Sequence, residues 1–284
     1  MSNDIFKQSK SMNFKGVFMN KYVVGTLFFT YVFLVENVSA EVLQSDTIIN
    51  DPQTSRHAAF EHTQSTHSDK AFGWDSRIFI ESDYITEGRN NLSGSGLYSV
   101  STEFNYGDFY ITPWLAKGIS ADYSEVNLNV NYGIYAVDKL EVFVGYGYLK
   151  SYEGDIDATD HEVNIDFSYD YRNDIQILAS IYHSFDADGL FSEIAFIKSY
   201  KFKGVLLVDV SSSLGFNSGY IGDGHNGLNF GQLRVHASYV LKNKIELHAY
   251  TSYSVAVNED SQRFAGDESL SNMLSGGAGL SYRF

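Results

Sequence analysis

The chain of 284 residues has a formal net charge of −15 and contains 21 tyrosines, 21 phenylalanines, two prolines and no cysteine. This acidic balance excludes nucleic acid as a partner, because phosphate binding needs clustered lysine and arginine. A disulfide framework is excluded as well, and the sequence has no zinc-binding or phosphate-binding motif, so no cofactor is expected.

The first forty residues have the pattern of an export signal. Three lysines precede an apolar run over residues 22–35, and Val38-Ser39-Ala40 supplies the small residues of a cleavage site. The run is too short for a membrane-spanning helix, which needs about 20 residues. We predict a signal peptide over residues 1–40, with a retained anchor as the alternative.

Residues 41–71 are polar and have neither the helical nor the strand period. They include His57, His62 and His67, spaced by five, which places them on one face of neither a helix nor a strand. We therefore predict a flexible periplasmic segment over residues 41–71 rather than a preformed metal site.

From Phe72 onward the sequence alternates apolar and polar residues in about twelve segments separated by turn-forming residues. Segment 162–171 is the clearest, and segment 125–134 nearly repeats it. A side-chain period of two is typical of strands with one apolar and one polar face. We predict an all-β fold over residues 72–284, a transmembrane antiparallel up-and-down β-barrel.

The connections between these segments alternate in length. Short ones lie near residues 107–108, 137–138, 172–174, 201–204 and 242–244, and longer ones near 82–95, 117–123, 152–161, 184–189, 217–227 and 257–271. Outer-membrane barrels have this asymmetry, with short periplasmic turns and longer external loops. If Leu241 pairs with Ile245 across one short turn, His236 faces Tyr250 and His248 faces Ser238.

The two faces of the strands indicate which side meets lipid. The polar face is rich in Gly, Ser, Asn, Asp and Glu, which suits a wet or tightly filled lumen. The apolar face ends near the short turns in aromatic residues, as an interfacial girdle does: Tyr132, Tyr169, Tyr171, Tyr239, Tyr282 and Phe284. We expect the apolar face to contact lipid and lipopolysaccharide of a bacterial outer membrane.

Several short motifs resemble those of a known family. The stretch Ser82-Asp83-Tyr84, with Glu87-Gly88-Arg89 where the family has Arg-Gly, is followed by a Gly-aromatic hairpin and an acidic alternating strand. Over residues 72–284 the chain resembles the TorF-type porins, which are small outer-membrane barrels. The last strand, with Tyr282 and Phe284, resembles the assembly signal of outer-membrane proteins, and this resemblance implies recognition by the barrel-assembly machinery.

Charged residues on the polar face are the candidates for solute selection. They are Glu125, Glu162, Asp166, Asp170, Asp209, Arg234, His236, Glu246 and His248. One interpretation is a lumen constriction whose charges select solutes, and the other is a polar network that fills a narrow barrel. Since acids outnumber bases on this face, any pore is expected to prefer cations.

The acidic and glycine-rich connections offer weaker candidates. Asp155, Asp157 and Asp160 form a possible divalent-ion loop, against the alternative of solvated acidic residues. Ser218, Asp223 and His225 lie close together, but a catalytic triad needs a rigid frame, and this glycine-rich loop offers none. We expect a flexible surface loop there, and no enzyme activity.

The leading functional hypothesis is a small, weakly cation-selective porin for the diffusion of small solutes. The alternative is a non-conducting barrel whose acidic external loops bind divalent ions or a surface partner. The non-conducting barrel would be distinguished by a lumen that is filled by the side chains of Tyr110, Trp114, Phe143 and Tyr250.

Overall fold

The computed structural model describes residues 72–284, apart from Asn243 and the side chain of Ala136. The predicted signal peptide (1–40) and periplasmic segment (41–71) lie outside the described residues. Within the part that is described, no helix is long and apolar enough to cross a membrane.

Twelve strands form one closed antiparallel barrel, which confirms the predicted fold. The strands are β1 Phe72–Glu81, β2 Leu97–Tyr106, β3 Phe109–Gly118, β4 Tyr123–Val137, β5 Leu140–Glu153, β6 Ile156–Arg172, β7 Ile175–Ser184, β8 Gly189–Phe202, β9 Leu206–Ser218, β10 Gly227–Lys242, β11 Ile245–Ala256 and β12 Met273–Arg283. Each strand pairs with its neighbours in sequence, and β1 pairs with β12 to close the barrel.

The alternation of the sequence determines which face of each strand points outward. In β6, Val163, Ile165, Tyr169 and Tyr171 are exposed on the outside, while Glu162 and Asp166 are buried on the inside. The predicted aromatic girdle lies on the outer face as well, with Tyr282 half-buried because its ring packs against Trp74 at 5.6 Å. The outer surface is therefore an apolar band around a polar interior.

The register of β10 and β11 confirms the predicted pairs, with one local difference at the turn. His236 pairs with Tyr250 and Ser238 with His248, as expected. Ile245, however, pairs with Lys242 instead of Leu241, because a bulge near the turn shifts the register there. A bulge places one extra residue on one strand without changing the pairs beyond it.

One predicted long connection is a hairpin. Residues 152–161 were expected to be a loop, but β5 and β6 continue to a turn at Gly154-Asp155, with Glu153 paired to Ile156. Gly154 has a φ of 57°, which permits this tight turn. Lys150 and Asp157 form an ion pair across the hairpin. The acidic residues of this segment therefore lie mostly on paired strands and not in a loop.

The connections define two rims. The short-turn rim carries the connections at 107–108, 138–139, 173–174, 203–205 and 243–244, and the long-loop rim carries those at 82–96, 119–122, 154–155, 185–188, 219–226 and 257–272. Inside the first long connection, strands Ile85–Thr86 and Arg89–Asn90 pair as a small hairpin. A 3-10 turn at Ala265–Asp267 lies in the last connection.

Candidate functional site

All nine lumen candidates lie on the inner face of the barrel. Glu125, Glu162, Asp166, Asp209, Arg234, His236 and His248 are buried, each at most 4% exposed. Asp170 and Glu246 are half-buried near the short-turn rim. These two carboxylates are therefore the most accessible of the nine candidates.

The buried carboxylates accept hydrogen bonds from neighbouring side chains. Glu125 accepts bonds from the hydroxyl of Tyr84 at 2.8 Å and from the amide of Asn127 at 2.8 Å. The hydroxyl of Tyr220 donates to Glu162. Since Tyr84 and Tyr220 belong to long connections, these lumen acids hold loops against the barrel wall.

The first long connection folds into the mouth of the barrel. Its hairpin, called here the infolded hairpin (residues 85–90), turns at Glu87-Gly88, where both residues have positive φ, as a two-residue type I′ turn requires. Tyr84, Ile85, Thr86, Glu87 and Arg89 are all buried. The hydroxyl of Tyr182 on β7 donates to Glu87 at 3.0 Å, which ties the turn to the opposite wall.

Arg89 joins the infolded hairpin to the last long connection and to strand β10. Its guanidinium donates to Asp267 at 3.0 Å, to the side-chain oxygen of Asn229 at 2.7 Å and to the backbone oxygen of Gly266 at 2.8 Å. On the other side of Asp267, the Nδ1 atom of His225 lies 2.6 Å from Oδ2. We call Arg89, His225, Asn229 and Asp267 the loop cluster.

Burial and hydrogen bonding shift the pKa values of the ion pair in this cluster. Burial lowers the pKa of the Arg89 guanidinium, although the charges of Asp267 and Glu87 counteract part of that change. Burial by itself raises the pKa of Asp267, but the N–H groups of Asp260 and His225 and the ring of His225 outweigh it and lower the pKa. The lowered pKa of Asp267 favours its charged form, which is the form that pairs with Arg89.

The loop cluster corrects the expectation of a flexible surface loop around His225. His225 is 5% exposed and pairs with Asp267 rather than with Asp223. Ser218 is exposed at the end of β9, and no bond joins it to His225 within the described residues, so the three residues form no triad. Sequence reasoning missed Arg89 and Asp267, which lie 178 residues apart and share no local pattern.

The second polar cluster lies on β9, β10 and β11, as the sequence predicted. The rings of His236 and His248 stack with centroids 5.5 Å apart, and Nδ1 of His236 lies 3.7 Å from a carboxylate oxygen of Asp209. Beside them the Arg234 guanidinium lies over the ring of Tyr250 at 4.3 Å. Neither ring nitrogen of His236 has a hydrogen-bond partner among the described residues.

Large aromatic side chains occupy much of the remaining inner face. Tyr110 and Phe143 are each 2% exposed, and Trp114 and Tyr250 are each 6% exposed. Near the long-loop rim, Tyr182, Phe191, Tyr220, Phe230 and Leu270 pack into one cluster below the loop cluster. The lumen is therefore narrow, and the infolded connections constrict its loop-side mouth.

The structure does not bring the possible divalent-ion residues together. Asp155 and Asp157 are exposed at the β5–β6 hairpin, whereas Asp160 has the opposite parity on β6. Asp160 instead accepts a hydrogen bond from the backbone N–H of Asp186 at 3.1 Å. Within residues 72–284 as described, no group of three or more His, Asp or Glu is placed to hold a metal ion.

Among solved structures, several outer-membrane barrels are similar to this chain. The KdgM porin has a TM-score of 0.51 at 8% identity, covering 75% of this chain and 99% of that one. The NanC porin has a TM-score of 0.49 at 13% identity, covering 74% and 100%. At such identity the likeness to the KdgM porin shows the fold alone.

No family model matches the sequence, and no curated protein matches it either. The resemblance to TorF-type porins therefore stays a prediction.

Proposed function

We propose that this protein is an outer-membrane channel of the porin type, through which small solutes diffuse. The observation that carries the proposal is a closed twelve-stranded barrel with an apolar outer band and a charged inner face. A closed barrel leaves no unpaired strand edge, which is the condition for spanning a membrane with strands. The fold shared with the KdgM porin supports the same function.

The asymmetry of the two rims supports an orientation in the membrane. Short turns are periplasmic and long connections external in outer-membrane barrels, so the infolded hairpin belongs at the external mouth. The last strand, with Tyr282 and Phe284, is the segment that the barrel-assembly machinery would bind. Lipopolysaccharide would then surround the long-loop rim.

The channel is proposed to be narrow and weakly cation-selective. Acids outnumber bases on the inner face, and the field of such a surface favours cations. Asp170 and Glu246 are half-buried near the short-turn rim, at the periplasmic mouth of the lumen. The infolded hairpin and the loop cluster would limit the size of the solute at the other mouth.

Conductance in a planar bilayer tests the proposal. We expect a small steady current from the refolded protein, with a reversal potential in a salt gradient that indicates cation preference. Asp170→Asn with Glu246→Gln should reduce that preference, and Asp138→Asn, at an exposed turn tip, should leave it unchanged. Anion preference, or a double variant that behaves like the wild type, would contradict the role of the inner acids.

A second candidate function is a non-conducting barrel with its binding surface on the external loops. The burial of Tyr110, Trp114, Phe143 and Tyr250 favours this candidate, because packed aromatic side chains leave little room for water. The same bilayer experiment separates the two functions. If a barrel proven to be folded by its heat-dependent gel migration carries no current, the channel proposal is wrong and the second candidate replaces it.

A further inference from the structure

Exposed cations are concentrated on the short-turn rim, whereas exposed acids are concentrated on the long-loop rim. Four of the five short turns carry lysine or arginine at or beside the tip: Lys139, Arg172, Lys203, Lys242 and Lys244, all exposed. Exposed acids of the long-loop rim include Asp155, Asp157, Asp186, Asp188, Glu259 and Glu268. The barrel therefore has a strong charge asymmetry along its axis.

Four of the exposed cations at the tips of the short turns have no carboxylate partner among the described residues, although Arg283 nearby pairs with Asp75 and Lys198 with Asp174. Within the described residues, none of Lys139, Arg172, Lys203 and Lys244 forms an ion pair. Near the long-loop rim, Lys150 pairs with Asp157, and Arg89 with Asp267. The rim cations are thus available to an external anion.

Two of these cations lie directly against the aromatic girdle. The ammonium of Lys244 lies 4.3 Å from the centroid of the Phe284 ring, and the guanidinium of Arg172 lies 5.4 Å from that of Tyr171. Girdle rings sit at the depth of the lipid headgroups. A cation in contact with such a ring is therefore at the depth of the lipid phosphates.

We propose that the short-turn rim is a binding surface for anionic phospholipid headgroups of the adjacent leaflet. The inference rests on the membrane location proposed above, but not on conduction. A headgroup with a net negative charge is attracted by several unpaired cations at its own depth. A zwitterionic headgroup contains a positive charge of its own, so its attraction to these cations is weaker. Apolar chains of the same lipid would cover the outer band between the girdle and mid-height.

Native mass spectrometry of the protein in mixed nanodiscs tests the proposal. The protein is inserted into equal amounts of phosphatidylglycerol and phosphatidylcholine, and the lipids retained after gentle delipidation are counted. We expect phosphatidylglycerol to be retained in excess at low salt. The excess should fall about fivefold for each cation removed, the factor for roughly 1 kcal/mol per basic residue, and it should fall with salt.

The variants are chosen to preserve the turns. Lys139 and Lys203 have positive φ, so each is replaced by asparagine, which tolerates that conformation, and Lys244 by glutamine. Lys150→Gln is the matched control, because Lys150 is already paired with Asp157 and is not available to a headgroup. The proposal requires a loss of selective retention with Lys244→Gln and no loss with Lys150→Gln.

Two outcomes overturn the inference in different ways. Equal retention of the two lipids by an inserted, folded barrel would disprove the headgroup surface while leaving the channel proposal intact. Failure of the protein to insert into the mixed nanodisc would disprove the membrane location and the headgroup surface together.

Discussion

Arg89 is a buried charge whose partners all come from other parts of the chain. Its side chain is 3% exposed and its carboxylate partner, Asp267, is completely buried. Removing one member of such a pair leaves an uncompensated charge, which costs roughly 3–5 kcal/mol. The barrel wall does not depend on this pair, so the penalty should appear as opening of the connections.

We predict that Asp267→Asn opens the loop-side mouth without unfolding the barrel. Amide hydrogen exchange should accelerate in residues 85–90 and 221–226 and stay slow in the barrel strands, because only the connections lose a charged partner. Glu268→Gln is the control, since Glu268 is the exposed neighbour of Asp267. Equal exchange in the two variants would show that the ion pair does not hold the connections.

The pKa of Asp267 predicts how the mouth responds to acid. Because this pKa is lower in the folded protein than the ordinary value of about 3.9, the stabilising contribution is fully present above that value. It is lost as the pH falls through the lowered pKa. The protection of the loop amides, measured relative to their intrinsic exchange rate at each pH, should therefore be constant from neutral pH to about pH 4 and fall below it, and Asp267→Asn should abolish this dependence.

At the scale of elements, the infolded hairpin depends on close contact between Gly88 and Phe230. Gly88 has a φ of 76°, and a Cβ atom there would lie 2.6 Å from the Phe230 ring. Gly94, in the same connection, has a φ of 85° and nothing within 4 Å of such an atom. Replacement of either glycine by alanine therefore strains the backbone, but only the replacement of Gly88 also creates a clash with Phe230.

We predict that Gly88→Ala displaces the infolded hairpin and increases single-channel conductance. Gly94→Ala should leave the conductance at the wild-type value, because its penalty of about 1–2 kcal/mol for positive φ comes without a clash. Conductance is measured for both variants under the same salt. A similar increase in conductance in both variants would mean that backbone strain, and not the contact with Phe230, displaces the hairpin.

At the scale of the whole molecule, the apolar outer band predicts that a charged side chain on the outer face lowers the stability of the barrel by an amount that depends on its depth in the membrane. Leu128 lies on the outer face of β4 on the long-loop side of Tyr132, and Val137 lies at the short-turn end of the same strand. In a barrel that spans a membrane, arginine costs about 2–4 kcal/mol at mid-depth and about 0–1 kcal/mol near the interface.

We predict that Leu128→Arg lowers the free energy of unfolding in phospholipid vesicles by about 2–4 kcal/mol. Val137→Arg should lower it by at most about 1 kcal/mol. Denaturant titration of the folded barrel in vesicles measures both values. Equal costs at the two positions would mean that the outer band does not lie across a bilayer.

The sequence alone was sufficient for the strands, their faces and much of their register. The period of two placed Glu162 and Asp166 inside and Val163 and Ile165 outside, because neighbouring residues of a strand must point to opposite faces. The pairing of His236 with Tyr250 followed from the same alternation and a short turn. Local rules of this kind apply wherever the next element in sequence is also the neighbour in space.

The tertiary structure alone decided where the long connections go and which charges they pair. Arg89 and Asp267 belong to the first and last connections, and only closure of β1 on β12 brings those connections together. Nothing in the periodicity of either connection indicates the other. The lumen acids Glu125 and Glu162 were identified from the sequence, but their tyrosine partners depend on loop packing, which is a contact between distant segments and not a property of any one of them.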